Sequence, residues 1–423
     1  MKEDFLHYIW KYKLFELDKL ETDTNLPVII NNVGTHNFDS GPDFFNARIK
    51  IGDIEWAGNI EIHINSSDWY KHKHQFDPAY NNVILHVVYN IDSKVYNSKN
   101  NEIPQLKIKV DNRLINNYNK LLASEKWIPC QDEIKNVDSI YKYSFLNKLL
   151  IERLEHKVEF IEDTLKFYNY SWNDCFYVVL MRNFGFKTNS DPFTLLANSL
   201  PLNCLIKHKN DLLRLEALLF GQAGFLNDDF SEVHPIELQK EYTYLKRKYK
   251  LSTLDKSVWK FSKMRPPNFP TIRIAQMASL IQQSSFLFSK ILEITSIYEL
   301  RNLFKARVSN YWLTHYSFEK KSKKIDKTMG ESSIDAIIIN TIVPILFLYG
   351  KRMNKPEISD KSFYFLQELA PEKNNIITKW KELGLNPENA FMSQALIQLK
   401  NEYCTHKRCL NCAIGNKVIG VKD

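Results

Sequence analysis

The chain has 423 residues, of which 44% are hydrophobic and 25% charged, and its formal net charge is +8. At roughly 100–200 residues per domain this predicts two or three domains, and the composition is that of a soluble globular protein with a real core. A mildly basic surface is compatible with nucleic acid without requiring it.

The first residues, MKEDFLHYIWKYKLFELDKLE, are interrupted by acids and lysines and lack a small-residue cleavage site, so they do not read as a signal peptide. Phe5, Ile9, Trp10, Leu14, Leu17 and Leu20 fall at helical spacing and predict an amphipathic helix over 3–20. From about residue 27 the pattern changes. LPVIINNVG, NARIKIG, WAGNIEIHI, NVILHVVYNI and PQLKIKV are short, rich in Ile and Val, and bounded by Gly, Asn, Asp and Pro. They predict a sheet of about five strands. After about residue 135 the strands vanish and helical periodicity dominates, beginning with a long helix over 140–168. The charged stretch 318–328, FEKKSKKIDKT, reads as a solvated connector. Ile334 to Gly350 is the most apolar run, but it carries Asp335, Asn340, Thr341 and Pro344. It is shorter and more polar than a span of about 20 apolar residues and reads as a buried helix. With no membrane segment and no export signal, a cytoplasmic protein is expected. The expected class is α+β: an α/β domain over 1–135, an all-α domain over 136–400 and a Cys-rich tail over 401–423.

The chemistry concentrates in residues 34–92, which hold His36, His63, His72, His74 and His86, five of the eleven histidines. The same segment holds Asp39, Asp43, Asp53, Glu55, Glu61, Asp68, Asp77 and Asp92. Asp43 precedes a strand at Ala47–Ile51, and a turn at Gly52-Asp53 leads into a second strand that carries Glu61-Ile62-His63. Alternation puts Glu61 and His63 on one face. An antiparallel hairpin would bring Asp43 near Glu61, and two converging carboxylates would bind Mg²⁺ or Mn²⁺ through oxygen. His72 and His74 would share one side of an extended segment, and with Asp68 or Asp77 could hold a transition metal such as zinc, manganese or iron. A purely structural reading stands beside these. In it Asp39 and Asp53 form turns, Glu55 faces solvent, Asp43 caps a turn, Glu61 pairs with Arg48 or Lys50, and His86 is a core residue.

Pro42-Asp43, seventeen intervening residues, then Glu61-Ile62-His63 resembles the motif of the PD-(D/E)XK nuclease superfamily. The resemblance covers about residues 1–110 and implies a restriction-endonuclease-like fold with Asp43 and Glu61 as metal ligands. His63 takes the position of the lysine that positions or activates water; it can accept a proton near neutral pH but supplies no fixed charge. The implied activity is metal-dependent hydrolysis of nucleic acid by activated water, with His72 or His74 assisting as ligand or acid. The alternatives are a non-catalytic nucleic-acid-binding or scaffold protein of the same fold, and a histidine-rich metalloenzyme with another substrate. The stretches SGPDFFNA, EIHINSSDW, MRPPNFPTIRIAQ and CLNCAIG are also similar to an uncharacterised bacterial family known as a domain of unknown function, which implies no activity.

Near the C-terminus, YCTHKRCLNCAIG supplies Cys404, His406, Cys409 and Cys412, a ligand set suited to structural Zn²⁺. The spacing is also similar to that of iron–sulfur clusters in some DNA-repair enzymes, although a fourth Cys downstream is missing. Cys130 is a distant ligand if the fold brings it close, and in a purely structural reading Cys404 and Cys412 are buried residues at a helix end. Cys175 and Cys204 read as core. Lys263, Arg265 and Arg273 flank Pro266, Pro267 and Pro270; either the basic residues hold a phosphate backbone, or the prolines only aim one helix at its neighbour and the arginines pair with acids.

Overall fold

A computed structural model of the chain describes residues 2–284 and 286–420. The fold is α+β. The chain divides into two compact units, and the division falls inside one helix: the first unit runs to Phe145 and takes in the segment that begins at Leu399, while the second is Leu146–Gln398.

The first unit opens with helix α1, Glu3–Lys11, which buries Phe5, Leu6, Ile9 and Trp10. It is shorter than the 3–20 helix expected. Lys13 adopts a left-handed conformation (φ 51°). Its N–H bonds to Trp10 O at 3.0 Å and the Leu14 N–H to Ile9 O at 2.9 Å, which closes the helix in a Schellman motif. A lysine thus does what glycine commonly does, and Leu17 is left exposed.

The sheet contains β1 (Val28–Asn32), β2 (Thr35–His36), β3 (Phe44–Ile51), β4 (Ile54–Asn65), β5 (Val83–Asn90) and β6 (Gln105–Lys107), in the order β1-β3-β4-β5-β6 with β2 also pairing β3. The β1–β3, β2–β3 and β3–β4 pairs are antiparallel; β4–β5 and β5–β6 are parallel. A parallel pair needs a crossover. The one from β4 to β5 is made of a short helix α2 (Asp68–Lys71) and 3₁₀ turns at His74–Phe76 and Pro78–Asn82. Helix α3, Asn112–Ala123, follows the sheet.

The second unit is almost wholly helical. Two short strands, His315–Ser317 and Lys320–Lys321, pair so that the second lies inside the segment 318–328 expected to be a solvated connector. Lys327 in that segment is buried, its Nζ donating to Leu313 O at 3.0 Å and Trp312 O at 2.5 Å. The apolar run lies in Glu331–Arg352, a helix long and apolar enough to cross a membrane by length and composition, with 72% of its most apolar window buried. A π-helical turn, Ile338–Ile342, interrupts it. Arg273 is buried and donates to Gln276, Asn268 and Ser333 rather than to any acid.

Candidate metal centre

Phe44 faces Ile60 across the β3–β4 hairpin, so Asp43 lies beside Glu61. The two residues exchange hydrogen bonds with the neighbouring backbone. Asp43 N–H donates to Glu61 Oε2 at 3.2 Å, and Ile62 N–H donates to Asp43 Oδ2 at 2.8 Å. A bulge follows on β3, where Asn46 is left-handed (φ 57°) and the register slips by one residue. Bulges next to sites re-aim side chains; this one separates the Asp43 end of the hairpin from its regular Ala47–Ile51 end.

Glu61 and His63 alternate onto one face of β4, as the period of two requires. His72 and His74 reach them differently from the extended geometry expected. His72 caps α2, Lys73 turns left-handed (φ 63°), and His74 starts the next 3₁₀ turn. That reversal wraps both rings around His63. One ring nitrogen from each of His63, His72 and His74 lies within 4.8 Å of the other two. His63 Nε2 is 3.0 Å from His72 Nδ1 and 3.5 Å from Glu61 Oε1. His74 Nε2 is 3.1 Å from Glu61 Oε1, yet it is buried without a hydrogen bond of proper direction. From α1, His7 Nε2 approaches Asp43 Oδ2 at 3.3 Å and is likewise unbonded, and Glu3 Oε1 stands 3.8 Å from His63 Nε2. His72 is exposed, so the cluster opens to solvent on that side.

Behind His63 runs a second string of polar groups. His63 Nδ1 is 2.8 Å from His86 Nε2. His86 is fully buried and faces Gln105 across the β5–β6 pair. Gln105 spends its amide N–H on Ser93 O at 2.8 Å, which leaves its Oε1 and His86 Nδ1 without other partners. Satisfying both puts the His86 proton on Nδ1, toward the Gln105 oxygen. His86 Nε2 then accepts from His63 Nδ1–H. The His63 lone pair is left on Nε2, aimed at Glu61 and His72. Backing of this kind fixes the tautomer of a metal-binding imidazole.

The electrostatics of this cluster without a cation are unfavourable for ionised groups. Burial, reinforced by the Asp43 charge, pushes Glu61 up to about 10. Burial, then His86, His74 and His72, holds His63 down at about 2. Burial also lowers His74 to about 4 and raises Glu3 to about 7. The imidazoles are already neutral, as metal binding requires, and a cation would restore the ionised form of Glu61. Three ring nitrogens beside a carboxylate suit manganese, iron or zinc better than magnesium, which favours oxygen alone.

A family model matches residues 3–375 and is described as a protein of unknown function (DUF2851). The chain belongs to this family. No curated protein and no solved structure matches it. In this DUF2851 chain, Asp43, Glu61, His63, His72 and His74 come together. Glu3, His7 and His86 join them without having been singled out as site residues: α1 carried no motif, and His86 read as core. Glu61 makes no ion pair with Arg48 or Lys50. Asp68 and Asp77 are turn residues, accepting from Asn65 N and Ala79 N. Glu55 is exposed and accepts from Asn31. A cavity of about 1230 Å³ in the unit is lined by Asn31, Asn46, Arg48, Asn59 and Asn82 among others, and by none of the clustered residues. Its lining is rich in asparagine, with Glu55 and Glu102 its carboxylates and no histidine or cysteine, so the cluster is the better candidate for chemistry. At the C-terminal end His406 is exposed, whereas Cys409 and Cys412 are buried and Cys404 is partly so.

Proposed function

We propose that the first unit is a metal-dependent phosphodiesterase of nuclease type. The observation that carries this reading is the convergence of one ring nitrogen each from His63, His72 and His74, with His63 and His74 beside Glu61 and Glu61 next to Asp43 on the adjoining strand. The order of elements supports it as well: a helix, an antiparallel run through β4, a crossover and a parallel β5. That order resembles the restriction-endonuclease-like arrangement, and the net charge of +8 suits a nucleic-acid substrate. The donor set favours Mn²⁺ over Mg²⁺.

Glu61, His63 and His74 would hold a divalent ion, which would supply an acidified water and polarise a phosphoryl oxygen. The chain's own groups do the rest. Glu61 and His63, held by the sheet and by His86, offer one oxygen and one nitrogen in fixed positions. His74 is clamped by Tyr80, whose ring stacks on it at 3.8 Å, so its Nε2 stays aimed at Glu61. His72, the exposed member, is placed to take or return a proton at the solvent side. Since His63 carries no fixed charge, electrostatic contact with a phosphate falls to the ion and to His7 and His72.

The three imidazoles also favour a second reading, a metalloenzyme with a non-nucleic-acid substrate. One experiment separates the two. The purified chain is incubated with single- and double-stranded DNA and RNA, with Mn²⁺ or Mg²⁺, beside Asp43→Ala and Glu61→Ala. Cleavage with Mn²⁺ that both substitutions abolish is expected. Cleavage that survives them would remove the site, and metal binding with no phosphodiester cleaved would favour the second reading.

A further inference from the structure

Four of the six cysteines come together in the first unit, from positions nearly three hundred residues apart. The π-helical turn Leu399–Cys404 ends on Cys404; π turns of this kind are frequent at functional sites. Lys407, left-handed at φ 51°, reverses the chain. A 3₁₀ turn, Cys409–Asn411, then leads to Cys412 at the start of the helix Ala413–Gly420. Gly415 N–H donates to Cys412 Sγ at 3.4 Å, a contact that would favour the thiolate if Cys412 held a metal. A Cβ on Gly415 would meet Cys409 O at 2.4 Å, so only glycine lets the helix close over the turn. The three sulfurs thus sit on one tight C-x₄-C-x₂-C wrap.

Cys130 is the fourth. It lies in a turn whose carbonyl accepts from Glu133 N and Ile134 N, and its side chain is buried. Its thiol interacts electrostatically with Cys412 and Cys409, and that of Cys404 with Cys412, Cys130 and Cys409. Burial and this mutual repulsion push Cys130 up to about 12 and Cys404 well above the usual thiol range. Lys400 and Lys407 are the nearby cations, acting on Cys404 and Cys409. All four cysteines are free.

We propose that Cys130, Cys404, Cys409 and Cys412 are the thiolate ligands of an iron–sulfur cluster in the first unit. The ligand set departs from the zinc set suggested by the local sequence, because Cys130 replaces the exposed His406. The spacing in the sequence favours a cluster over a single ion. C-x₄-C-x₂-C is the spacing of three of the four ligands in plant-type [2Fe–2S] sites, where two thiolates share each iron; here the distant fourth cysteine precedes the triplet instead of following it.

The test is elemental. The full chain is purified without oxygen, and iron, acid-labile sulfide and zinc are measured with the visible absorption spectrum. Iron and sulfide in equal amounts are expected, with a charge-transfer band that Cys130→Ser and Cys409→Ser lose and His406→Ala keeps. The wild-type content is informative even if a serine variant fails to fold. Stoichiometric zinc without sulfide, no metal at all, or a cluster untouched by Cys130→Ser would each overturn the proposal.

Discussion

Both ring nitrogens of His63 are committed, one to His86 and one to the centre of the cluster. His86 therefore acts on the site without reaching it, and His86→Phe should weaken Mn²⁺ binding by roughly 10–100-fold, the usual cost of losing such backing. Competition against a chelator of known affinity measures this; unchanged affinity would make His86 a packing residue only. The cation-free protein should also be acid-sensitive. His63, His74 and His86 have folded values lowered from 6.5 to about 2, about 4 and about 3. The unfolded chain then binds protons that the folded chain refuses. Stability present above pH 6.5 is lost as pH falls toward those values, at up to about 1.4 kcal/mol per pH unit for each imidazole. Glu61 and Glu3, raised to about 10 and about 7, act in the opposite direction over that range. Denaturant midpoints of chelated protein should therefore fall between pH 7 and 5 only by the excess of three imidazoles over two carboxyls, and saturating Mn²⁺ should hold the pH 7 value. A midpoint independent of pH in chelated protein would contradict the neutral assignment. At this scale the sequence showed Asp43, Glu61 and His63, since a period of two orders them. It hid Glu3 and His7, which reach the site through the packing of α1, a tertiary event with no local signature.

The elements that aim these residues depend on three left-handed, non-glycine positions: Lys13 ends α1, Asn46 makes the β3 bulge and Lys73 turns His74 back toward His63. Asparagine tolerates that conformation and a β-branched residue does not. Asn46→Val should destabilise the chain by about 1–3 kcal/mol, while Asn46→Gly should be nearly neutral. Equal denaturant midpoints for the two would show that the bulge conformation is not what Asn46 supplies. The strands themselves were legible because Ile and Val alternate with polar residues between turn formers. The end of α1 was not. Leu14, Leu17 and Leu20 continue the helical spacing, and only the Schellman bonds at Lys13 reveal that the chain has turned away. The His72–His74 geometry was missed for a similar reason: two rings two residues apart predicted an extended segment, and the crossover supplied a turn instead.

At the scale of the whole chain, the segment from Leu399 clusters with the first unit rather than standing alone as a tail. Asn117 Nδ2 donates to Ile419 O at 3.2 Å, and Lys407 Nζ to Leu122 O at 2.5 Å, so both bonds tie the segment to α3. A chain ending at Gln398 should therefore expose α3 and the Cys130 turn, with faster amide exchange at both than in the full chain. Exchange unchanged there would detach the segment from the unit's stability. No local pattern in the sequence shows a return across nearly three hundred residues; the cysteines alone hinted at it. The centre built by α1, β3, β4 and the crossover is the claim on which the proposed activity depends. It is tested most directly by titrating Mn²⁺ into chelated protein and following the free-ion paramagnetic resonance signal. The signal should be suppressed until a single equivalent is bound, with suppression lost in Glu61→Gln and in a His63→Asn, His74→Asn double variant that keeps its helical circular dichroism. Free-ion signal from the first addition to the wild type, or suppression that persists in those variants, would contradict a metal centre at these residues.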